Sequence, residues 1–368
     1  MSKADSTAIL FAAGGTGGHL FPAIAIAEEI KKQKSDVNIG FVGTKNKIEA
    51  RVVPSKGFEF FTIWISGLHR RLTAGNLLFP VKVVVSLAQS FFLIRRFKPK
   101  VVIGTGGYVC GPILYAASLL RIPTVIHESN SYPGVTTRLI AGKATKIFLT
   151  FDVTRKWLPT STAARIELVG NPTRAALGSI SREAGAKFFN LDPAKGTVLV
   201  FGGSLGAVSL NSAMEKFVKR LAEQDIQIIW QTGEKDFERY ERMKNIGVWV
   251  GKFIDNIEHA YAAADLVMCR SGATTIAELT RLGKPAILIP YPHAAANHQE
   301  LNAQAMVEAD AAVMLKDSEL ETKAMSTIVE MFSHPARLSE MAGKSRKLGR
   351  PNAGSEIASK ILALAQLI

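Results

Sequence analysis

An apolar strand that runs into a glycine-rich turn and then into a helical pattern opens each half of the chain. In the first half residues 7–13 lead into Gly14-Gly15-Thr16-Gly17-Gly18-His19 and a helix whose apolar face is Ala23, Ile24, Ala27 and Ile30. In the second half residues 197–201 lead into Gly202-Gly203-Ser204-Leu205-Gly206-Ala207. Short apolar strands punctuated by glycine and alternating with helices build parallel sheets, and a device used twice argues for two related α/β domains. A length of 368 residues also exceeds what one core usually serves. The pattern lapses after Gly170-Asn171-Pro172-Thr173-Arg174, so the expected division is 1–173 and 174–352. The final helix, about 353–368, has an apolar face and is expected to pack back on the first domain. The expected fold is α/β, with two Rossmann-like, doubly wound domains facing a central cleft.

Parallel sheets bind ligands at the C-terminal ends of their strands. In the first half three polar clusters fall on that rim: Thr16 to His19, Gly106 to Tyr108 after a strand at 101–104, and His127-Glu128-Ser129-Asn130 after a strand at 124–126. Three clusters on one rim make a binding site. The first turn has neither the G-x-G-x-x-G spacing of dinucleotide folds nor the Gly-Lys-Ser/Thr of a P-loop. Pro22 suits the first turn of the following helix. His19 reads either as a general base or as a helix-start residue bonded to backbone. Further strands are expected at 37–43, 58–63, 147–150 and 166–169, with a helix at 45–54.

Residues 76–97 form a long apolar helical segment that Pro80 and Lys82 interrupt, too short to span a bilayer comfortably. Residues 83–94 are expected to lie buried on the sheet. The first turn and the loop before it carry Leu77, Leu78, Phe79 and Val81 among Arg70, Arg71 and Lys82, which suits an anionic bilayer face.

The second half centres on residues 265–303. A strand at 265–268 is followed by Ser271 and Gly272 as N-cap and turn, a helix at 273–282, and Gly283 as its stop. A helix N-terminus beside a small-residue turn is a natural anion site. Thr274 and Glu278, four apart, share a face, so a carboxylate would sit one turn below a bound diphosphate. The alternative is an ordinary βαβ unit with a solvated Glu. Ile254, in the loop leaving a strand at 247–252, could offer backbone groups to a base, or could simply be buried. His298-Gln299 starts another helix, where an amide could meet sugar hydroxyls. The tail from 319 to 367 reads as helical throughout.

Composition narrows the classes. Hydrophobic residues make 47% and the mean hydropathy is +0.15, which excludes general disorder. The net charge of +14 points to an anionic partner. Two cysteines are too few for a disulfide framework or a zinc site. Residues 1–7 carry no apolar signal segment, and a cytoplasmic setting is the expectation. No D-x-D pair, metal-ligating cluster or nucleic-acid module is present, so neither metal, cofactor nor nucleic acid is expected.

Together GGTGGHLFPA at 14–23, GGYVCGP at 106–112, HESN at 127–130, GNPTR at 170–174, GGSLGA at 202–207, FID at 253–255 and CRSGATTIAE through HQELNA at 269–303 resemble one family across nearly the whole chain. It is the bacterial lipid II-forming N-acetylglucosaminyltransferase family (MurG), of the two-domain GT-B fold. The family usually has Gln where this chain has Ser129 and Leu205. The resemblance implies an inverting, metal-independent transfer of N-acetylglucosamine from UDP-GlcNAc to the MurNAc C4 hydroxyl of lipid I, giving lipid II and UDP for peptidoglycan synthesis. A base must take the C4 proton, and His19 is the candidate, with Glu128 second. The resemblance places uracil on the Ile254 backbone and the ribose hydroxyls on Glu278. The nucleotide and its diphosphate would lie among Arg174, Ser204, Ala273, Thr274, Thr275, Ile276 and Ala277. Gln299 would meet the GlcNAc hydroxyls, and Thr16, Gly17, Gly18 and Asn130 would lie near the donor sugar and acceptor diphosphate. It further implies a peripheral place on the cytoplasmic face of the plasma membrane, an anionic surface, and other cell-wall synthesis proteins as partners. The alternatives are another GT-B enzyme, a UDP-sugar epimerase or a lipid glycosyltransferase with a different acceptor, and a nucleotide-binding membrane-surface protein without turnover.

Overall fold

A computed structural model describes residues 7–67, 78–174, 176–203, 205–294 and 297–367. The chain divides into two compact units, 1–173 with 351–368, and 174–350. Each is built on one parallel sheet. The first unit contains β1 (Ala8–Ala12), β2 (Asn38–Gly43), β3 (Glu59–Thr62), β4 (Pro99–Gly104), β5 (Thr124–Glu128), β6 (Lys146–Leu149) and β7 (Ile166–Leu168). The second contains β8 (Thr197–Phe201), β9 (Gln227–Gln231), β10 (Val248–Gly251), β11 (Leu266–Cys269), β12 (Ala286–Leu288) and β13 (Ala312–Met314). Their spatial orders are β3-β2-β1-β4-β5-β6-β7 and β10-β9-β8-β11-β12-β13. Both sheets therefore repeat the same plan, growing outward in two directions from the first strand, as doubly wound folds do.

Helices cover both faces of the first sheet, and most strand side chains are wholly buried as parallel sheets require. Phe11, Phe41 and Phe148 pack with Ile24, Ile30 and the helix Ala353–Leu364 on one face, while Leu10, Val102 and Ile126 pack with the helices Phe79–Phe97 and Cys110–Leu119 on the other. The helix Ala353–Leu364 lies on Gly17–Gln33 through Ile357, Ala358, Ile361 and Leu362. Gln33 Nε2 donates to Ser355 O at 3.1 Å, and Lys360 pairs with Glu167 at 2.7 Å. In the second unit Trp230, Phe217, Met268 and Ile328 belong to one such core.

Three local expectations are corrected. The first helix begins at Gly17 rather than near Pro22, because His19 N and Leu20 N both reach Thr16 O at 3.2 Å. Pro22 thus sits past the first turn, and His19 inside it. Pro80 does not interrupt the helix Phe79–Phe97 but starts it, where a missing N–H costs nothing. That helix is buried only along Ser86, Ser90 and Ile94, and Val81, Val84, Ala88 and Phe92 form an exposed stripe. The tail is helical as expected, in three helices, Leu320–Ser333, Pro335–Leu348 and Ala353–Leu364. No helix of the described residues is long and apolar enough to cross a membrane.

Ile361 is fully buried against the first sheet's helix layer. Ile361→Ala is expected to lower the stability of the full-length protein's first unit by about 2–5 kcal/mol through cavity formation. Hydrogen exchange at the β1 amides under rising urea reads this out, and unchanged protection there would show that the helix is not part of that unit's core.

Candidate active site

In the first unit the turns after β1 and β4 stand side by side, because those strands are neighbours. The fit leaves no room for side chains: Gly106 has φ +115°, and a Cβ there would fall 2.4 Å from His19 Cδ2. His19 is half-buried, with its ring against Gly106 and Nδ1 3.3 Å from both Gly14 O and Thr16 Oγ1. Thr105 Oγ1 donates to His19 O at 2.7 Å and holds the helix start to β4. Thr16 and Gly18 are exposed and Gly17 half-buried, so the first turn of this helix presents its backbone at the sheet rim.

Glu128, at the end of β5, is buried and occupied by its own loop. Oε1 accepts from Asn130 N at 3.1 Å and Nδ2 at 3.4 Å, and Oε2 accepts from Gly134 N at 3.0 Å and Thr137 Oγ1 at 2.7 Å. This geometry makes it an organiser of the loop that carries Asn130. Asn130 O in turn accepts from Thr154 Oγ1 at 3.0 Å. His127 is buried, donates from Nε2 to Gly170 O at 2.9 Å, and is held below the usual histidine range by that burial. Ser129 Oγ donates to Asn171 Oδ1 at 3.1 Å, so this hydroxyl ties down the segment leaving the unit. Cys110 is inert: burial pushes its thiol to about 12.

In the second unit the turns after β8 and β11 are likewise neighbours. The helix Ala273–Leu282 begins at Gly272 and ends at Gly283, which has φ +63°. Ser271 does not cap it, since its hydroxyl donates to Gln299 O at 2.7 Å and joins the two helix starts instead. Ala273, Thr274 and Thr275 form the first turn, whose amides have no acceptor within a helix. Ile276 is buried at 2% exposure and its N–H is taken by Gly272 O. Ala277 is half-buried on the same turn.

Glu278 is not a solvated surface residue. It is 7% exposed, accepts from buried Tyr261 OH at 2.9 Å, and lies 4.0 Å from Arg174 Nε. Burial pushes its carboxyl above the ordinary range against the pull of Arg174 and Tyr261, and pushes the Tyr261 phenol well up. A buried carboxylate with one hydroxyl donor retains acceptor capacity for further hydroxyl groups.

Sequence reasoning missed Gln231, at the end of β9. Its Oε1 accepts from Ile254 N and its Nε2 donates to Gly203 O, both at 2.9 Å. The Ile254 N–H expected to meet a base is therefore engaged, and Ile254 is 3% exposed. Arg270 was missed too: it is buried and fans out to Asp317 Oδ1 at 2.5 Å, Ser209 Oγ at 2.9 Å and Pro290 O at 3.2 Å. Its place directly before Ser271-Gly272 was the available signal. Gln299 Oε1 accepts from Tyr291 N at 3.0 Å, which fixes its amide at the helix start. Ser204 lies outside the described residues, as does the basic stretch with Arg70, Arg71 and Leu77. Leu205 is 85% exposed and makes the turn's outer surface apolar. Among the described residues no three His, Cys, Asp or Glu side chains gather as a metal site would require.

The glycosyltransferase family 28 N-terminal domain matches residues 9–149, and the family 28 C-terminal domain matches 197–357. A relative from Chlorobaculum parvum, named UDP-N-acetylglucosamine–N-acetylmuramyl-(pentapeptide) pyrophosphoryl-undecaprenol N-acetylglucosamine transferase, is 44% identical over 97% of this chain and 99% of its own. The chain belongs to this family of glycosyltransferases. A transferase of the same name from Flavobacterium psychrophilum is 41% identical over 97% of both chains. The crystal structure of Acinetobacter baumannii MurG superposes with a TM-score of 0.76 at 27% identity, covering 98% of this glycosyltransferase and 100% of that chain.

The raised Glu278 carboxyl sets a stability test. A group whose folded pKa is raised contributes stability below its unfolded pKa and loses that contribution as pH rises through the folded value. Glu278→Gln is therefore expected to raise the unfolding midpoint relative to the parent at pH 8, with the difference shrinking toward zero below pH 4.5. Paired urea titrations at both pH values measure it, and a midpoint difference independent of pH would show that Glu278 is not desolvated.

Proposed function

We propose that this glycosyltransferase moves N-acetylglucosamine from UDP-N-acetylglucosamine to the C4 hydroxyl of the N-acetylmuramyl unit on undecaprenyl diphosphate (lipid I), giving lipid II and UDP. The observation that carries the proposal is Glu278, a buried acceptor one turn below the helix start at Gly272. That arrangement suits a ribose held under a diphosphate, and the name borne by the relatives supports it. The second unit supplies the donor half. Glu278 accepts from the ribose hydroxyls. Arg174, Ser204, Ala273, Thr274, Thr275 and Ala277 surround the diphosphate. Ile254 meets uracil through its backbone, sharing its N–H with Gln231, and Gln299 offers its amide to GlcNAc.

The first unit supplies the acceptor half through Thr16, Gly17, Gly18, Asn130 and His19. The C4 oxygen bonds to the anomeric carbon as the bond from that carbon to the UDP oxygen breaks, inverting the centre. The electron pair leaves with UDP, and the C4 proton passes to His19. Helix starts and Arg174 stabilise the charge that develops on the leaving diphosphate. Glu128 keeps the Asn130 loop in place and acts as a positioning residue. UDP release from UDP-GlcNAc is expected only with a short-chain lipid I analogue present, and is expected to persist in EDTA. His19→Ala is expected to lower kcat by roughly 10²–10⁴. Consumption of the donor without acceptor would replace the proposal with an epimerase, and near-normal turnover of a folded His19→Ala protein would remove His19 as the base.

The exposed stripe Val81, Val84, Ala88 and Phe92, with Leu78 before it and Arg95 and Arg96 beyond, supports seating on an anionic membrane face at the cytoplasmic side. Val84 and Phe92 are 67% and 70% exposed, so they can be changed without opening the core. The double variant V84D/F92D is expected to lower sedimentation with vesicles containing anionic lipid while leaving UDP release from a soluble acceptor analogue intact. Undiminished vesicle binding would place the membrane face elsewhere.

A further inference from the structure

Glu49 takes no part in the readings above, yet it lies directly beneath the first glycine turn. It is carried by the helix Ile48–Ser55 and is fully buried. Oε1 accepts from Thr44 N at 3.1 Å and Thr44 Oγ1 at 2.9 Å, and Oε2 accepts from Gly15 N at 3.2 Å. Both oxygens accept from amides, the pattern of a carboxylate. The packing around it is closed: a Cβ at Gly43 would fall 2.5 Å from Glu49 Cγ, and one at Gly14 would fall 2.7 Å from Oε1.

The Gly15 N–H that Glu49 holds and the Gly14 carbonyl are the two ends of one peptide group. His19 Nδ1 lies 3.3 Å from that carbonyl. A carbonyl oxygen can only accept, so this contact is a hydrogen bond only with the proton on Nδ1, an arrangement that Thr16 Oγ1, also 3.3 Å away, can accept as well, and it leaves the lone pair of the neutral ring on Nε2. We propose that Glu49 acts on His19 through the Gly14–Gly15 peptide. The carboxylate draws on Gly15 N–H and strengthens the Gly14 carbonyl as an acceptor. It thereby holds Nε2 as the proton-accepting atom and steadies the imidazolium that forms. Hydrogen bonds in series polarise one another. In a Ser-His-Asp triad the carboxylate bonds Nδ1–H directly, whereas here a peptide group stands between. Glu49 touches no reacting atom and is a positioning residue.

Among the described residues, the other titratable groups seen facing this arrangement include Tyr108 and Cys110. The Tyr108 ring stands over Gly15, where a Cβ would fall 3.2 Å from its Cε1. Cys110 is bonded to Gly106 and Ala12 O, sits within the field of Glu128, and is neutral. The proposal rests on His19 being the base, and the test separates the two. With full-length protein carrying ¹⁵N-labelled histidine, the neutral His19 ring is expected to be protonated at Nδ1, and an Nε2–H tautomer would overturn the proposal without any variant. In Glu49→Gln, His19 is expected to bind its proton on the order of tenfold more weakly. The acid limb of the kcat profile then moves to lower pH, and kcat falls on the order of tenfold with both KM values unchanged. An unaltered His19 titration in folded Glu49→Gln would overturn the proposal. Thr44→Val removes a bond to the other carboxylate oxygen only, so its His19 titration is expected to match the parent. Near-normal turnover of His19→Ala would remove the base while leaving the titration result standing.

Discussion

Both sheets grow outward in two directions from their first strand, and this one constraint places everything else. A parallel strand needs a crossover to reach its neighbour, so the chain leaves each strand at the same rim. Where growth reverses, the turns after β1 and β4, and those after β8 and β11, have no crossover helix between them. They meet directly, and only glycine lets them approach closely enough. Gly106 against the His19 ring is the result in the first unit. In the second unit the tightest glycine approach is instead between the turns after β8 and β9, where a Cβ at Gly206 would fall 2.0 Å from Thr232 O. The glycines are the means by which two strand ends form one surface of backbone groups.

Three buried carboxylates then divide the work according to what surrounds them. Glu128 meets donors on both oxygens and holds a loop. Glu49 meets donors on both oxygens and holds a turn. Glu278 has one hydroxyl donor and a guanidinium at 4.0 Å, and burial pushes its carboxyl up. A desolvated carboxylate with spare acceptor capacity can accept further hydroxyl groups, and this difference in satisfaction sets Glu278 apart from the other two.

Much of this was legible beforehand, because strand and turn chemistry are local. Glycine punctuation and apolar runs located the strands of the first unit and β8, β10 and β11 of the second but not β13, and the stop at Gly283 follows from its left-handed backbone. The misses have a common cause. Pro22 suggested a helix start, but Thr16 O accepting from two amides set it earlier. Ser271 suited an N-cap, but Gln299 O, brought near by the parallel neighbour strand, took its hydroxyl. Residues 83–94 read as buried from apolarity alone, yet a helix on a sheet hides one stripe, and Val84 and Phe92 fall outside it. Gln231 acts through partners far along the chain, so spacing carried no sign of it, and Arg270 was marked only by its place before Ser271-Gly272.

The sequence by itself determined the fold class, the two glycine-turn devices and the family, since each depends on residues close together in the chain. Only the tertiary structure decided which polar groups were already engaged. Glu49 under Gly15, Gln231 on Ile254 and Arg270 on Asp317 are pairings across many residues. A buried donor or acceptor must find a partner wherever the fold brings one, and that partner cannot be read from the neighbours in sequence.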